Sequence, residues 1–556
     1  MNISAGKSSH RVIAFLFIVI FIATSFLHSE DVSRLPSPNL PPTHSAYDFI
    51  DRMETKGIIS SIRNGTRPFT RMEIAQMLLD CSRNPICLTK VDSQQLQWLR
   101  AEFAYELKRL DPEGNYPSRK HVYRLIHDDS GLFFIPTLRI KWKFDDDNAG
   151  MNLLKLHQSH GGIIYGYISQ HAAFYTAIND NLLRGDDLNI SGKLSPERGD
   201  ILYHTVGASR TDYFDTSSSL TFNLPFTRVV LGLERNLWGP GYTGTLGLSD
   251  HAPAYPQLKI TGRYFDKITF TWLLASLDSG LIDSLRTLST DYGFTRTYYI
   301  PKYLATHRVE ISVFRGCDLG FYESVYFDDS NRGMMPLYWL PLTPLITSEQ
   351  FNRDVANKQI GMDIDLNLIR NIKLYGALHI DEISLSEIFG GDNPHNWVGF
   401  QGGLFYVDPF SVRNTDFRIE YTRINPWVYS HKYIDCYHFD SVMGYWLERN
   451  SDNLFFEFRY RPLYNLQLAS SYEKRRKGEE GTVADQYANA SASFLFGDVA
   501  RQDVFTFRCM YELLRDLQIN LKYQFVTGKG LFENSEGKHD PIEQHILEFS
   551  IGYGYW

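Results

Sequence analysis

Past residue 30 the sequence holds no run of about 18 uninterrupted apolar residues, the length an apolar helix needs to cross a bilayer. A helical membrane protein is therefore excluded. Positive charge is in deficit: 56 Lys and Arg stand against 64 Asp and Glu, a formal net charge of −8. Non-specific nucleic-acid binding has no electrostatic support, and no nucleic-acid partner is expected. Cysteine is scarce, and Cys81, Cys87, Cys317, Cys436 and Cys509 show no metal-ligand spacing. Neither metal nor cofactor is expected. Cys81 and Cys87 could pair in an oxidising compartment or stay separate structural thiols. Gly528-Lys529-Gly530 lacks the strand–helix context of a phosphate-binding loop.

The one long apolar run lies at the start. Lys7 and Arg11 precede Val12 to Leu27, and small and polar residues follow near Ser29. At roughly 16 residues this run is short for a stable span, so residues 1–29 read as an export signal, with an uncleaved anchor as the alternative. No cysteine lies near enough for a lipid anchor. Residues 30–44 form a linker, rich in Pro and Ser from Arg34 to Pro42.

Residues 45–115 carry helical periodicity. Ser45 is positioned to cap a first helix bearing Tyr47, Phe49, Ile50 and Met53, ended by Gly57. Thr70 and Glu73 form a capping box for a second, with Ile74, Met77 and Leu78 on its apolar face. Asp92 with Gln95 opens a third, with Leu96, Leu99, Phe103, Leu107 and Leu110 on one side. A small soluble bundle results, and the periplasm is its expected compartment.

From about Gly131 the period changes from 3.6 to 2. Leu138, Ile140, Trp142 and Phe144 alternate with Arg139, Lys141 and Lys143; Leu517 to Phe525, Phe417 to Tyr421, Val309 to Val313 and Phe456 to Tyr460 follow the same rule. Aromatics reach 14% while mean hydropathy is −0.28. Many aromatics without overall hydrophobicity suit strands with one face in lipid and the other in a wet interior. Connections alternate as well. Short ones fall at Pro225-Phe226, Asp266-Lys267, Gly316 to Asp318, Arg370-Asn371, Pro462-Leu463 and Arg515-Asp516. Long polar ones fall near 239–257, 275–306, 326–357, 383–397, 425–452, 475–487 and 527–544. Residues 130–556 thus read as a transmembrane antiparallel outer-membrane β-barrel, mainly β, with room for about 16 to 18 strands. The number should be even. In the last stretch Leu547, Phe549, Ile551, Tyr553 and Tyr555 alternate with polar or small residues and Trp556. That strand is expected to close the barrel onto the first, since an unpaired edge in lipid is costly. Phe549, Tyr553, Tyr555 and Trp556 are read as an assembly signal for the barrel-assembly machinery. A soluble sandwich is the alternative, and the loop rhythm speaks against it.

Several stretches together resemble the capsule assembly protein Wzi family. They are Tyr47 to Arg52 with Asn64 to Arg71; Glu234-Arg235-Asn236-Leu237-Trp238-Gly239-Pro240-Gly241 with Leu248 to Pro253 and Tyr255 to Leu258; His307 to Glu310 with Gly320 to Glu323; Tyr375 to Glu382; and Glu420 to Pro426. The resemblance implies an 18-stranded outer-membrane barrel with a periplasmic helical bundle. It also implies a lectin-like role, holding capsular or other exported polysaccharide at the cell surface. The long loops show no tight match, so the glycan itself is not carried over.

A sugar site needs aromatic faces for stacking and polar groups for ring hydroxyls. Arg235, Trp238, Tyr242, Asp250, His251 and Tyr255 could supply both. Equally, Gly239-Pro240-Gly241 could shape an inward constriction with Trp238 plugging the lumen. Trp339 with Tyr338 and Arg332, and Trp427 with Tyr429, His431 and Trp446, are further stacking candidates or an aromatic girdle. Asp250-His251 and His379 with Asp381-Glu382 invite a hydrolase reading, which would need a placed nucleophile or activated water beside the base. Adjacent Asp250 and His251 would point to opposite faces of a strand, whereas His379 and Asp381 would share one face, among lumen charges. Lys474 to Glu480 reads as a solvated hairpin tip whose basic half could touch acidic glycan or lipopolysaccharide. The expected protein is a monomeric, non-enzymatic, polysaccharide-binding barrel set among outer-membrane lipid. The alternative is a porin or channel for small solutes.

Overall fold

A computed structural model describes residues 35–554 except 61, 85–87, 118–122, 147–150, 186–189, 191, 203, 206–208, 225–226, 266, 290–294, 329–335, 346–355, 383–396, 432–433, 489–491 and 534–537. The expected export signal, Cys87, Arg332, Tyr555 and Trp556 lie outside the described residues. Among those described, no helix is long and apolar enough to cross a membrane.

Four helices come first: α1 (Ser45–Thr55), α2 (Arg71–Arg83), α3 (Lys90–Glu102) and α4 (Ala104–Leu110). The Thr70–Glu73 capping box is present, the Glu73 N–H donating to the Thr70 hydroxyl at 3.2 Å and the Thr70 N–H to Glu73 at 2.7 Å. Two caps differ from expectation. His44 rather than Ser45 caps α1, its Nδ1 accepting from the Ala46 N–H at 3.1 Å, because Glu102 holds the far side of the ring at 2.9 Å. Thr89 caps α3, with Asp92 as its reciprocal partner three residues in. The expected third helix breaks at Phe103, whose backbone leaves helical geometry. Tyr47, Phe49, Ile50, Met53, Ile74, Leu78, Leu96, Leu99, Phe103 and Leu107 form the common core of this section. Cys81 is a free, buried thiol within it.

Eighteen antiparallel strands then close into a barrel. In chain order they begin with β1 (Ser130–Asp146), β2 (Met151–Ile168), β3 (Ala172–Gly185), β4 (Arg210–Leu224), β5 (Thr227–Glu234) and β6 (Tyr255–Tyr264). They continue with β7 (Ile268–Ile282), β8 (Tyr299–Phe314), β9 (Cys317–Asp328), β10 (Asn357–Ile369), β11 (Ile372–Glu382) and β12 (Trp397–Val407). The last six are β13 (Thr415–Ile424), β14 (Ser451–Leu463), β15 (Leu466–Lys477), β16 (Ala500–Leu514), β17 (Leu517–Glu533) and β18 (His539–Tyr553). The ring closes between β18 and β1, where Tyr553 faces Leu138, Phe549 faces Trp142 and His545 faces Asp146. Phe549 stacks on Trp142 with ring centroids 5.6 Å apart. Leu138, Ile140, Phe321, Met362, Phe458, Phe505 and Ile551 are exposed on the outside, while Arg308, Gln401, Glu420, Glu457, Thr506 and Ser550 are buried inside. This is the alternation that a lipid belt around a polar interior requires.

Of the expected short connections, those at Lys267, Gly316, Arg370-Asn371 and Arg515-Asp516 join consecutive strands at one end of the barrel. β14 runs through Pro462-Leu463 and turns just after, at Tyr464-Asn465, while Pro225-Phe226 and Asp266 lie outside the described residues. β2–β3 and β12–β13 turn at the same end. The long connections gather at the other end. Three differ from expectation. β7 extends to Ile282 and β8 starts at Tyr299, so much of 275–306 is strand. β17 and β18 run to Glu533 and from His539, which leaves little loop in 527–544. Lys474 to Lys477 is not a solvated tip: β15 continues through it, and Arg475 and Lys477 are buried in the lumen by the same alternation.

The helical section enters the short-turn end. The Asn371 N–H donates to the Thr55 carbonyl at 2.8 Å, and Trp98 meets Tyr464 edge-on at 5.3 Å. Arg52 donates to Asp408 at 2.6 Å and to the Thr415 carbonyl at 3.1 Å, and it also binds Asp416. Asp51 accepts from Lys373 at 3.0 Å and from Arg418 at 2.7 Å. Glu73 pairs with Arg228 at 3.0 Å and Arg263 at 2.6 Å. Strand charges that would otherwise face an open mouth are thus matched by helix charges.

Candidate functional site

At the long-loop end of β5, residues 235–254 turn into the lumen instead of outward. Leu237 and Trp238 form a short antiparallel ladder with Arg67 and Thr66 of the helical section. The Gly239 N–H donates to the Gly65 carbonyl at 2.8 Å, and the Trp238 N–H to the Leu248 carbonyl at 2.7 Å. Gly239 has φ +123, a conformation a side chain disfavours, so the turn needs glycine there. The described residues of 425–450 fold inward beside it: the Tyr429 hydroxyl donates to the Leu246 carbonyl at 2.7 Å, and the Ser249 N–H to the Met443 carbonyl at 2.7 Å. Both loops bury their aromatics in one cluster with Trp238, Leu246, Tyr255, Trp427, Tyr429, Tyr445 and Trp446.

A strand carboxylate orders the backbone at the tip of the first loop. Glu420 of β13 accepts from the Tyr242 N–H at 2.7 Å, the Thr243 N–H at 2.9 Å and the Tyr375 hydroxyl at 2.7 Å. Tyr242 donates to Glu457 at 3.0 Å, and the Arg418 guanidinium lies over its ring at 4.3 Å.

The inward loops pack against one side of the lumen. Along the wall of β1 to β5 and β16 to β18 a cavity of about 1250 Å³ remains. It reaches from Phe532 and Asp540 at the long-loop end to Asn39, Thr43 and Gly554 at the short-turn end. Of the sequence candidates, Arg235, Tyr242, Asp250 and His251 line it. Arg235 donates to Asp200 at 2.7 Å and Asp215 at 3.2 Å, and Asp250 accepts from Arg198 Nε at 2.9 Å. Burial pushes the His251 imidazole down to about 4, so it is neutral at pH 7. Burial pushes the Asp200 carboxyl up to about 7, helped by Asp215 and opposed by Arg235. Burial also raises Asp250, but Arg198 beside it more than offsets this and leaves the carboxyl below its usual range.

Trp238, Tyr255 and Trp427 are 1%, 0% and 1% exposed, their ring faces already covered by the loop cluster. Trp446 reaches the cavity edge, and Trp339 stands apart on a short turn, 42% exposed. His379 is fully buried between Tyr322 and Tyr429, its Nδ1 hydrogen-bonded to the Tyr322 hydroxyl at 2.7 Å. The sequence reading missed Glu420 as the organiser of the loop, although Glu420-Tyr421-Thr422-Arg423 stood in a quoted motif. It also missed Asp200 and Asp215, which meet Arg235 only through the barrel's curvature.

Residues 203–539, well over half the chain, match the family model described as capsule assembly protein Wzi. The chain belongs to the Wzi family. In structure this Wzi-family barrel is similar to an Escherichia coli outer-membrane protein, with 11% identity, a TM-score of 0.55, and 93% of this chain and 100% of that chain covered. That protein is described as Wzi, involved in group 1 capsule assembly and a carbohydrate-binding β-barrel. Two further solved structures are OccAB2 of Acinetobacter baumannii (10% identity, TM-score 0.44, 77% and 98% covered) and OccK5 of Pseudomonas aeruginosa (12%, 0.41, 77% and 99%). No curated protein matches in sequence. As a member of the Wzi family with this closed barrel, the protein resides in the outer membrane.

Proposed function

We propose that this protein is a non-enzymatic, lectin-like barrel that binds exported polysaccharide and holds it at the cell surface. The observation that carries the reading is the match to the Wzi family over residues 203–539. The E. coli neighbour, described as carbohydrate-binding, supports the same class of ligand. The cavity suits saccharide, since its wall mixes hydroxyls, amides, Tyr242 and Tyr213 with paired charges. In this reading residues 45–115 face the periplasm behind the linker 30–44 and the signal 1–29, and the long loops face outward. The barrel works as a monomer among lipopolysaccharide, inserted through its terminal aromatics by the barrel-assembly machinery. Deleting the gene should release polysaccharide into the medium while synthesis continues; unchanged cell-bound glycan would overturn the anchoring role.

The channel reading draws on one observation, the cavity's reach along the wall from Phe532 to Gly554. Planar-bilayer recording separates the two: steady conductance by the intact protein favours a pore, and silence favours a holding barrel.

A further inference from the structure

Strand register gathers a lattice of cations on one part of the lumen wall. Lys522, Glu548, Lys143 and Lys155 stand in one row across β17, β18, β1 and β2. The next row, toward the short-turn end, holds Asn520, Ser550, Lys141 and His157, and the one after it brings Arg139 beside Gly552 and Ser159. Successive inward positions of a strand lie roughly 7 Å apart, so the rows are close enough to act on one ligand. Arg139, Lys141, Lys143, Lys155 and Lys522 all border the cavity. Among the described residues, twelve Arg and Lys line that cavity against nine Asp and Glu, in a chain whose net charge is −8. Positive charge has been collected where a polymer would lie.

Among the described residues, Glu548 and Glu197 pair with lysines of the lattice. Glu548 belongs to the wall and lies 3.6 Å from Lys141 and 3.4 Å from Lys522. Glu197 does not: it comes from the connection between β3 and β4, reaches Lys141 at 3.5 Å, and is 53% exposed. Lys141 above all draws its carboxyl below the usual range; burial opposes this, and Lys522, Lys143 and Lys155 reinforce it. A loop carboxylate that answers to four lysines on three strands occupies the position a ligand's acid group would take.

We infer that this lattice is an anion subsite for an acidic glycan, taking its uronate carboxylates or phosphates, with Glu197 as a tethered occupant that the ligand displaces. The inference rests on the glycan-binding reading above and adds the charge class of the ligand. Charge-assisted N–H to oxyanion bonds are about twice as strong as neutral ones, so the lattice discriminates acid from neutral sugars.

The test uses the full-length protein in detergent micelles and calorimetric titration with hexagalacturonate, its methyl ester, maltohexaose and inorganic phosphate. Hexagalacturonate should bind at least tenfold more tightly than its ester, and weaken steeply with salt. Glu197→Gln should tighten hexagalacturonate several-fold and leave maltohexaose unchanged; Lys143→Gln with Lys155→Gln should weaken it at least tenfold. Millimolar phosphate that displaces hexagalacturonate supports the subsite and points to phosphate as the natural anion. Equal affinity for acid and ester, or a Glu197→Gln variant indistinguishable from wild type, overturns it. Glu197 lies in a connection, so its variant keeps the test decisive should the lysine variants fail to assemble. A glycan array on the same protein separates the two layers. Array binding without acid dependence sinks the subsite alone, and a blank array sinks the glycan reading beneath it.

Discussion

Glu420 shows how one side chain sets the shape of a loop. It collects two backbone N–H groups and a tyrosine hydroxyl within a buried site. Hydrogen bonds to a charged group contribute about 1.5–3 kcal/mol each, and truncation also strands the donors. Glu420→Ala should therefore destabilise the protein by about 3 kcal/mol or more, read as a lowered unfolding midpoint in micelles. Glu420→Gln, which keeps an acceptor, should cost less. His251 gives a pH signature at the same scale. Its imidazole falls from an ordinary 6.5 to about 4 on burial, so the unfolded chain binds a proton first. Its contribution to stability is complete above about 6.5 and drains away as pH falls toward 4. His251→Gln should remove that part of the dependence, measured as the difference in unfolding midpoint between pH 7 and pH 4.

The docked helices make a larger prediction. Burial raises the Glu73 carboxyl, but Arg228 and Arg263 of the barrel outweigh it and bring it down to about 2. Such a depressed acid stabilises docking above its unfolded value near 4.3 and loses that contribution as pH falls through about 2. Glu54 acts in the opposite sense, because burial pushes it up to about 8. Docking should thus weaken on acidification below about pH 4, followed by the fluorescence of Trp98, which leaves Tyr464 when the section detaches. Arg52→Ala should release the section even at neutral pH. It removes the cation common to Asp92, Asp408 and Asp416, of which Asp92 and Asp408 keep Lys56 and Asp416 keeps Arg461. The loss should therefore fall below the about 3–5 kcal/mol of a buried charge left wholly unpaired, visible as new protease cleavage near residues 45–110. At this scale the sequence was most readable. Strands showed as period-2 runs, and turns such as Asn371 and Asp516, both at positive φ, showed through residues that tolerate that geometry. The caps at His44 and Thr89 were not readable in the same way. Ser45 and Asp92 are equally good cap formers by type, and tertiary partners such as Glu102 decided between neighbours. The inward course of residues 235–254 depends on Thr66 meeting Trp238, a pairing that no local pattern announces. The alternation of Arg139, Lys141 and Lys143 was plain, but only strand register reveals that Lys155 and Lys522 share their surface.

For the whole molecule, two separate stretches fill part of the lumen from opposite ends, the helical section at the short turns and the inward loops behind the long connections, and leave the cavity along the β1 to β5 and β16 to β18 wall. Removing residues 35–117 should therefore raise conductance in planar bilayers well above that of the intact protein, while the strands still migrate as a folded, heat-modifiable species. Equal silence from both forms would mean that the loops alone seal the barrel.

The β18–β1 ladder has a further consequence, one of timing. It joins Tyr553 to Leu138, strands separated by nearly the whole barrel sequence, and the entropy of closing so long a loop grows only logarithmically. Every earlier hairpin can zip to its neighbour as it arrives, yet both outer edges stay raw until the final strand is in hand. Assembly is then governed by a single terminal event, and a chain halted before it has no stable shortened form to fall back on.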